Sequence, residues 1–230
     1  MPLTPAELQV LGLSVKVALA SALASLPLAL ALAFVLARLD FPGKVLLDGV
    51  VHLPLVLPPV VIGYLLLVAL GRTAPVGAFL ADHFGIVFAF RWTGAALASA
   101  LMGLPLAVRA MRQAVESVDR RLEDAAATLG APPAAVFASV TLPLVMPGVL
   151  NGMLLSFARS LGEFGATITF VSNIPGETQT LPLAIYSLTQ TPGGDAQAMR
   201  LCVLAILLSL GALMMSEILL RRARRRAQGA

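Results

Sequence analysis

Apolar residues dominate the chain in long, nearly unbroken runs, and the polar positions fall in short clusters between them. A helix needs about 20 mostly apolar residues to cross the hydrocarbon core of a bilayer. Windows of that length lie at about 11–37, 46–70, 93–115, 144–171 and 201–220. They predict five membrane helices, with ends placed to within a few residues. The stretch 75–90 is also apolar but short, and it carries Asp82 and His83, so it reads as an interfacial or re-entrant helix more readily than as a sixth crossing. The expected fold class is an all-α membrane protein of about five to six transmembrane helices, forming a single domain over 1–230.

Composition agrees: 58% of the 230 residues are hydrophobic and 12% charged, and mean hydropathy is +0.90. Soluble domains carry about a quarter charged residues, so lipid is the main solvent here. The net charge of +4 does not point to nucleic acid. Much of it is the cluster Arg221, Arg222, Arg224, Arg225 and Arg226, directly after an apolar run, which reads as an anchor beside anionic lipid. An outside N-terminus places Arg38, Lys44, Arg109, Arg112, Arg120, Arg121 and that cluster inside, leaving Arg72, Arg91 and Arg200 outside. The positive-inside rule therefore predicts N-out and C-in, as an odd number of crossings allows. The first run has no basic residue before it and is too long for a signal-peptide core, so it reads as a retained span.

Between the third and fourth spans, 117–143 has the grammar of two short helices. Ser117 and Asp119 are N-cap candidates, Glu123 and Asp124 lie near the favourable end of the helix dipole, and Ala125, Ala126 and Ala127 are strong helix formers. Gly130 stands where a C-terminal cap needs positive φ, Pro132 and Pro133 open a second helix, and Leu142 and Pro143 are expected to end it at the membrane. Leu122, Ala125, Ala126 and Leu129 share one face of the first helix; Val136, Phe137 and Val140 share one face of the second. Such faces on the water side ask for a partner, or for a lipid surface to rest on.

Asp124-Ala125-Ala126, three residues, Gly130, nine residues, then Val140-Thr141-Leu142-Pro143 resembles the loop of ABC importer permeases, written Glu-Ala-Ala, three residues, Gly, nine residues, Ile, any, Leu, Pro. Asp124 takes the glutamate place, with Glu123 adjacent, and Val140 takes the isoleucine place. The resemblance implies the type I importer permease fold, and a loop that inserts into a cleft of a separate ATPase dimer through Glu123, Asp124, Ala125, Ala126, Gly130, Leu142 and Pro143. The chain has no phosphate-binding G-x-x-x-x-G-K-[ST] loop of its own, so any motor is another chain. SLGEFGAT at 160–167 resembles sulfate and molybdate permeases alike and marks tetrahedral oxyanions, which leaves a sulfate or tungstate importer of the same family as the alternative. SNIPGETQTLP at 172–182 and TPGG at 191–194, with LPLVLPPVVIGYLLL in the second span, resemble the molybdate branch. What that implies is a homodimer with one pathway, an external molybdate-binding protein, a multi-pass position in the inner membrane, no cofactor and no covalent catalysis.

The fourth span also carries its own chemistry. Gly148, Gly152, Ser156 and Ser160 recur every four residues, a small-residue ridge that permits close helix packing. Ser156, Ser160, Glu163 and Thr167 form a polar stripe, with Arg159 and Glu163 spaced to pair at i, i+4. Ionisable groups at this depth are costly unless paired or wet, so the five residues are candidates for the translocation pathway; the alternative is an ion pair cementing helices. Pro54, Pro58 and Pro59 interrupt the second span, either as a bend or as a kinked pathway helix. His52 reads as an interfacial hydrogen-bonder, for no metal-ligand spacing surrounds it, and Lys16 is expected to snorkel outward. The unpartnered Cys202 allows no disulfide. A lone ion-coupled transporter would show inverted repeats and several buried carboxylates, whereas Glu163 is the only acid well inside a span.

Overall fold

The computed structural model describes residues 4–228, and the side chains of Arg222, Arg224, Arg225 and Arg226 lie outside the described residues. Within them the chain is helical: α1 (Pro5–Arg38), α2 (Lys44–Val56), α3 (Pro59–Leu70), α4 (Pro75–Phe84), α5 (Trp92–Glu116), α6 (Arg120–Thr128), α7 (Pro133–Val136), a π-helical turn (Phe137–Thr141), α8 (Leu142–Leu161), α9 (Gly165–Val171), α10 (Leu181–Thr189) and α11 (Asp195–Gln228). Thr4 and Glu7 open α1 with reciprocal side-chain to backbone bonds of 3.3 and 2.7 Å, a capping box.

Helix α5 is the axis, and its neighbours give the directions. Lys16 Nζ lies 3.7 Å from the Trp92 ring centroid, and further along Ala33 and Leu36 share a core cluster with Val108, Met111 and Val115. So α1 and α5 run parallel. The small-residue ridge of α8 climbs α5 the other way, Gly148 meeting Ala114, Gly152 meeting Ala107 and Met111, and Ser156 meeting Gly103. At the far end Val171 of α9 packs on Gly94, so α8 and α9 together span the length of α5. Asp48 of α2 reaches Arg112 at 3.3 Å, while Leu66, Leu67 and Leu70 of α3 join Val17 and Ala95 at the opposite end. Thus α2 and α3, although bent by 111° at Leu57 and Pro58, carry the chain back across. Arg200 near the start of α11 pairs with Glu7 at 3.1 Å. A helix of 34 residues extends about 50 Å, so the two termini lie at opposite ends of a five-crossing bundle.

Three expectations need correction or refinement, and a fourth, on 75–90, agrees with the short helix found there. The fourth span is not one rod: α8 stops at Leu161 and α9 starts at Gly165. The helix opened by Pro133 does not end at Leu142 and Pro143 but runs unbroken to Leu161. Pro143 has no amide hydrogen and its ring would crowd the carbonyl four residues back. The π-helical turn, in which the Leu142 amide bonds Phe137 O, widens the backbone there and lets the proline pass. Lys16 does not simply snorkel; its ammonium sits over Trp92, a cation–π contact. The stretch 75–90 holds only the ten-residue α4 and then a turn, too short for a crossing.

The ridge makes a direct prediction. A Cβ on Gly152 would come within 2.9 Å of Ala107 O and Met111 Cε. Gly152→Leu should therefore lever α8 off α5, destabilising by roughly 2 kcal/mol, read as a lower thermal midpoint of the purified protein. An unchanged midpoint would show that this contact does not hold the bundle together.

Candidate functional site

Two places bring the predicted residues together. The first is the loop beyond the end of α5. Asp119 caps α6, its Oδ1 accepting from the Arg121 amide at 3.0 Å. Glu123 Oε1 accepts from Arg38 Nη2 at 3.0 Å and from Thr141 Oγ1 at 2.7 Å, so one carboxylate ties α6 both to the end of α1 and to the π-helical turn. Phe137 packs on Phe34 with centroids 5.4 Å apart, a second tie to α1.

The opposite face of α6 is open. No residue of α6 is buried, Asp124 and Ala125 are exposed, and Leu122 and Leu129 are 50% and 89% exposed. Gly130 stops the helix with φ +87°. Its amide bonds Ala127 O at 3.0 Å and the Ala131 amide bonds Ala126 O at 3.3 Å, the paired bonds of a left-handed helix stop. Leu142 packs against the core while Pro143 is exposed at the start of α8. Of the seven predicted coupling residues, then, Glu123 and Leu142 face the bundle, and Asp124, Ala125, Gly130 and Pro143 face away from it. Ala126 is half-buried between the two sets. The result is an exposed hairpin bolted to α1 and α8, which can pass a displacement of α6 to both.

The second place is at mid-depth, where two broken helices touch. A Cβ on Gly165 would lie 2.8 Å from Pro59 Cβ, and one on Gly63 would lie 2.5 Å from Ala166 O. The break between α8 and α9 therefore nests in the break between α2 and α3. Arg159 Nη1 pairs with Glu163 Oε2 at 2.7 Å, the arginine side chain 27% exposed and the glutamate 1%. The other carboxylate oxygen accepts from the Ala166 amide at 2.8 Å, capping α9. Ser160 shares a 2.5 Å hydrogen bond with Ser21 of α1 and donates to Ser156 O at 2.8 Å. Thr167 donates to Phe164 O at 2.8 Å. Ser156, Ser160, Glu163 and Thr167 are all buried against neighbouring helices, and Arg159 alone of the five reaches the open side.

Sequence reading missed the partners of these groups. Arg38 for Glu123, Ser21 for Ser160 and Asp48 for Arg112, the last at 3.3 Å, join different helices, and Arg112 also holds Glu116 of its own helix at 2.7 Å. Matching charge and hydroxyl at equal depth was the available signal, and it needs to be known which helices are neighbours. His52 Nδ1 lies 2.9 Å from Asp48 O and 3.2 Å from its Oδ1, a hydrogen-bonded position near the α2 end as expected.

Known proteins share both the sequence and the fold. The family of binding-protein-dependent transport system inner membrane components matches residues 25–225. The molybdenum transport system permease protein ModB of Escherichia coli K12 is 58% identical, over 99% of each chain. Its namesake in Haemophilus influenzae is 59% identical over 94% of each. A bacterial ABC transporter involved in the import of the acidic polysaccharide alginate has the same fold, with a TM-score of 0.75 at 16% identity, over 96% of this chain and 80% of that one. A chain that matches so completely, and folds as a bundle with an exposed hairpin at one end, belongs to the family of binding-protein-dependent transport system inner membrane components.

Proposed function

We propose that two copies of this chain form the pathway of an ATP-driven importer in the inner (cytoplasmic) membrane, and that its cargo is molybdate. The observation that carries the reading is the open face of α6, with Leu122 and Leu129 exposed on a hairpin held to the bundle from behind. That face suits a cleft in a dimeric ATPase. On this reading the α6 end lies in the cytoplasm and the N-terminus outside, which the basic residues that flank the spans support. An extracytoplasmic binding protein delivers the oxyanion to the other end. Closure of the ATPase on ATP draws the two hairpins together and turns the pathway outward, a rigid-body change at an interface. The chain itself does no covalent chemistry. Ser156, Arg159, Ser160, Glu163 and Thr167 border the pathway; Arg159 offers its charge to the passing dianion, and Glu163 holds it from within. Likeness over the whole chain to molybdenum permeases supports the choice of cargo.

The test is reconstitution with the ATPase and binding-protein partners, scoring ATP-driven uptake of labelled molybdate. Uptake that persists in excess sulfate is expected. Equal competition by sulfate would move the cargo to oxyanions at large.

A further inference from the structure

We propose that each chain holds one anionic phospholipid in the crevice between α1 and α5, at the end of the bundle that carries the N-terminus. The crevice is an apolar cavity of about 380 Å³ lined by Ala20, Ala24 and Leu28 of α1 and Leu97, Leu101 and Leu104 of α5. It shares Phe88 and Thr93 with a second cavity of about 300 Å³, whose wall includes Arg91. Lys16 stands at the same mouth, above Trp92, which also lines the crevice. Neither Lys16 nor Arg91 has a carboxylate within ion-pair distance among the described residues.

The shape is that of a lipid, with a basic pocket opening onto an apolar slot. From Lys16 to Leu28, and from Trp92 to Leu104, the parallel helices rise about 18 Å, close to the ~15 Å of one leaflet's hydrocarbon. A tryptophan beside two cations marks the headgroup level. Spread over that length, 380 Å³ makes a slot narrower than the ~10 Å of a helix with its side chains, so a single hydrocarbon chain fills it better than a helix from a second copy. Phosphate against Lys16 and Arg91 supplies the missing counter-charge.

The protein reconstituted in a mixture of phosphatidylglycerol and phosphatidylcholine, then subjected to native mass spectrometry, tests this. The wild type should retain one phosphatidylglycerol per chain, preferred over the neutral lipid on the order of tenfold. Ala24→Phe, which fills the slot from an exposed position, should lose the bound lipid of either kind. Lys16→Gln with Arg91→Gln should keep a lipid but bring the headgroup preference to parity. Lipid retention unchanged by Ala24→Phe, or an anionic preference unchanged in the glutamine variant, overturns the proposal. A dimer split by Ala24→Phe with lipid retention unchanged assigns the crevice to a partner helix instead. If Ala24→Phe does not fold, the glutamine variant decides alone.

Discussion

Arg159→Leu should lower the thermal midpoint sharply, through a loss of stability on the order of 3 kcal/mol. It leaves Glu163, 2% exposed, with only the Ala166 amide as partner, and a buried carboxylate without its cation is a larger loss than the pair was a gain. Arg159→Leu combined with Glu163→Leu should therefore recover most of the midpoint, short of the α9 cap, worth about 1 kcal/mol. The double variant separates two roles that stability alone confuses. A pair that only cements helices leaves a restored double variant transporting at the wild-type rate. A pair that borders the pathway leaves it folded, in the membrane and without uptake, which is the expected outcome. Uptake in vesicles normalised to inserted protein reads the difference.

Gly130→Val should separate ATP hydrolysis from uptake while the protein stays folded. Nothing lies within 4 Å of the added Cβ, so the obstacle is not a clash; it is the φ of +87°. A β-branched residue held there costs roughly 1–2 kcal/mol, enough to unwind the last turn of α6 and swing Leu129 away. The bundle core does not include α6, so the thermal midpoint should hardly move. The ATPase activity of the assembled complex should persist without accumulation of cargo. Wild-type uptake by this variant would place the docking surface elsewhere.

Why the five crossings were readable and the breaks were not follows from what each depends on. Crossing a bilayer demands a run of apolar residues, and such a run is a property of sequence alone. The bend between α2 and α3 was half visible, since Pro58 and Pro59 announce an interruption but not its 111°. The break at 162–164 has no proline to mark it. It exists because Glu163 turns back to cap α9 and Gly165 nests against Pro59, two contacts of which the second depends on a helix some hundred residues upstream. Pro143 misled in the opposite direction: a proline read as a stop is carried through by the π-helical turn. Glu123 illustrates the same limit at the hairpin. Its place in the motif was legible, but its partner Arg38 is 85 residues away, so the tie from this carboxylate back to α1 was not. The small-residue ridge was the most legible feature of packing, because a four-residue repeat of glycine and serine has one meaning wherever a neighbouring helix lies.

Measuring ATP hydrolysis and molybdate uptake together, in vesicles that carry the assembled complex, tests an external motor acting through α6 most directly. With the ATPase replaced by a hydrolysis-dead form, uptake should vanish. With the intact ATPase and ATP held constant, an uncoupler should leave it unchanged. Uptake that survives without ATP hydrolysis and collapses with the uncoupler would contradict the coupling role of the hairpin and make the chain an ion-driven carrier.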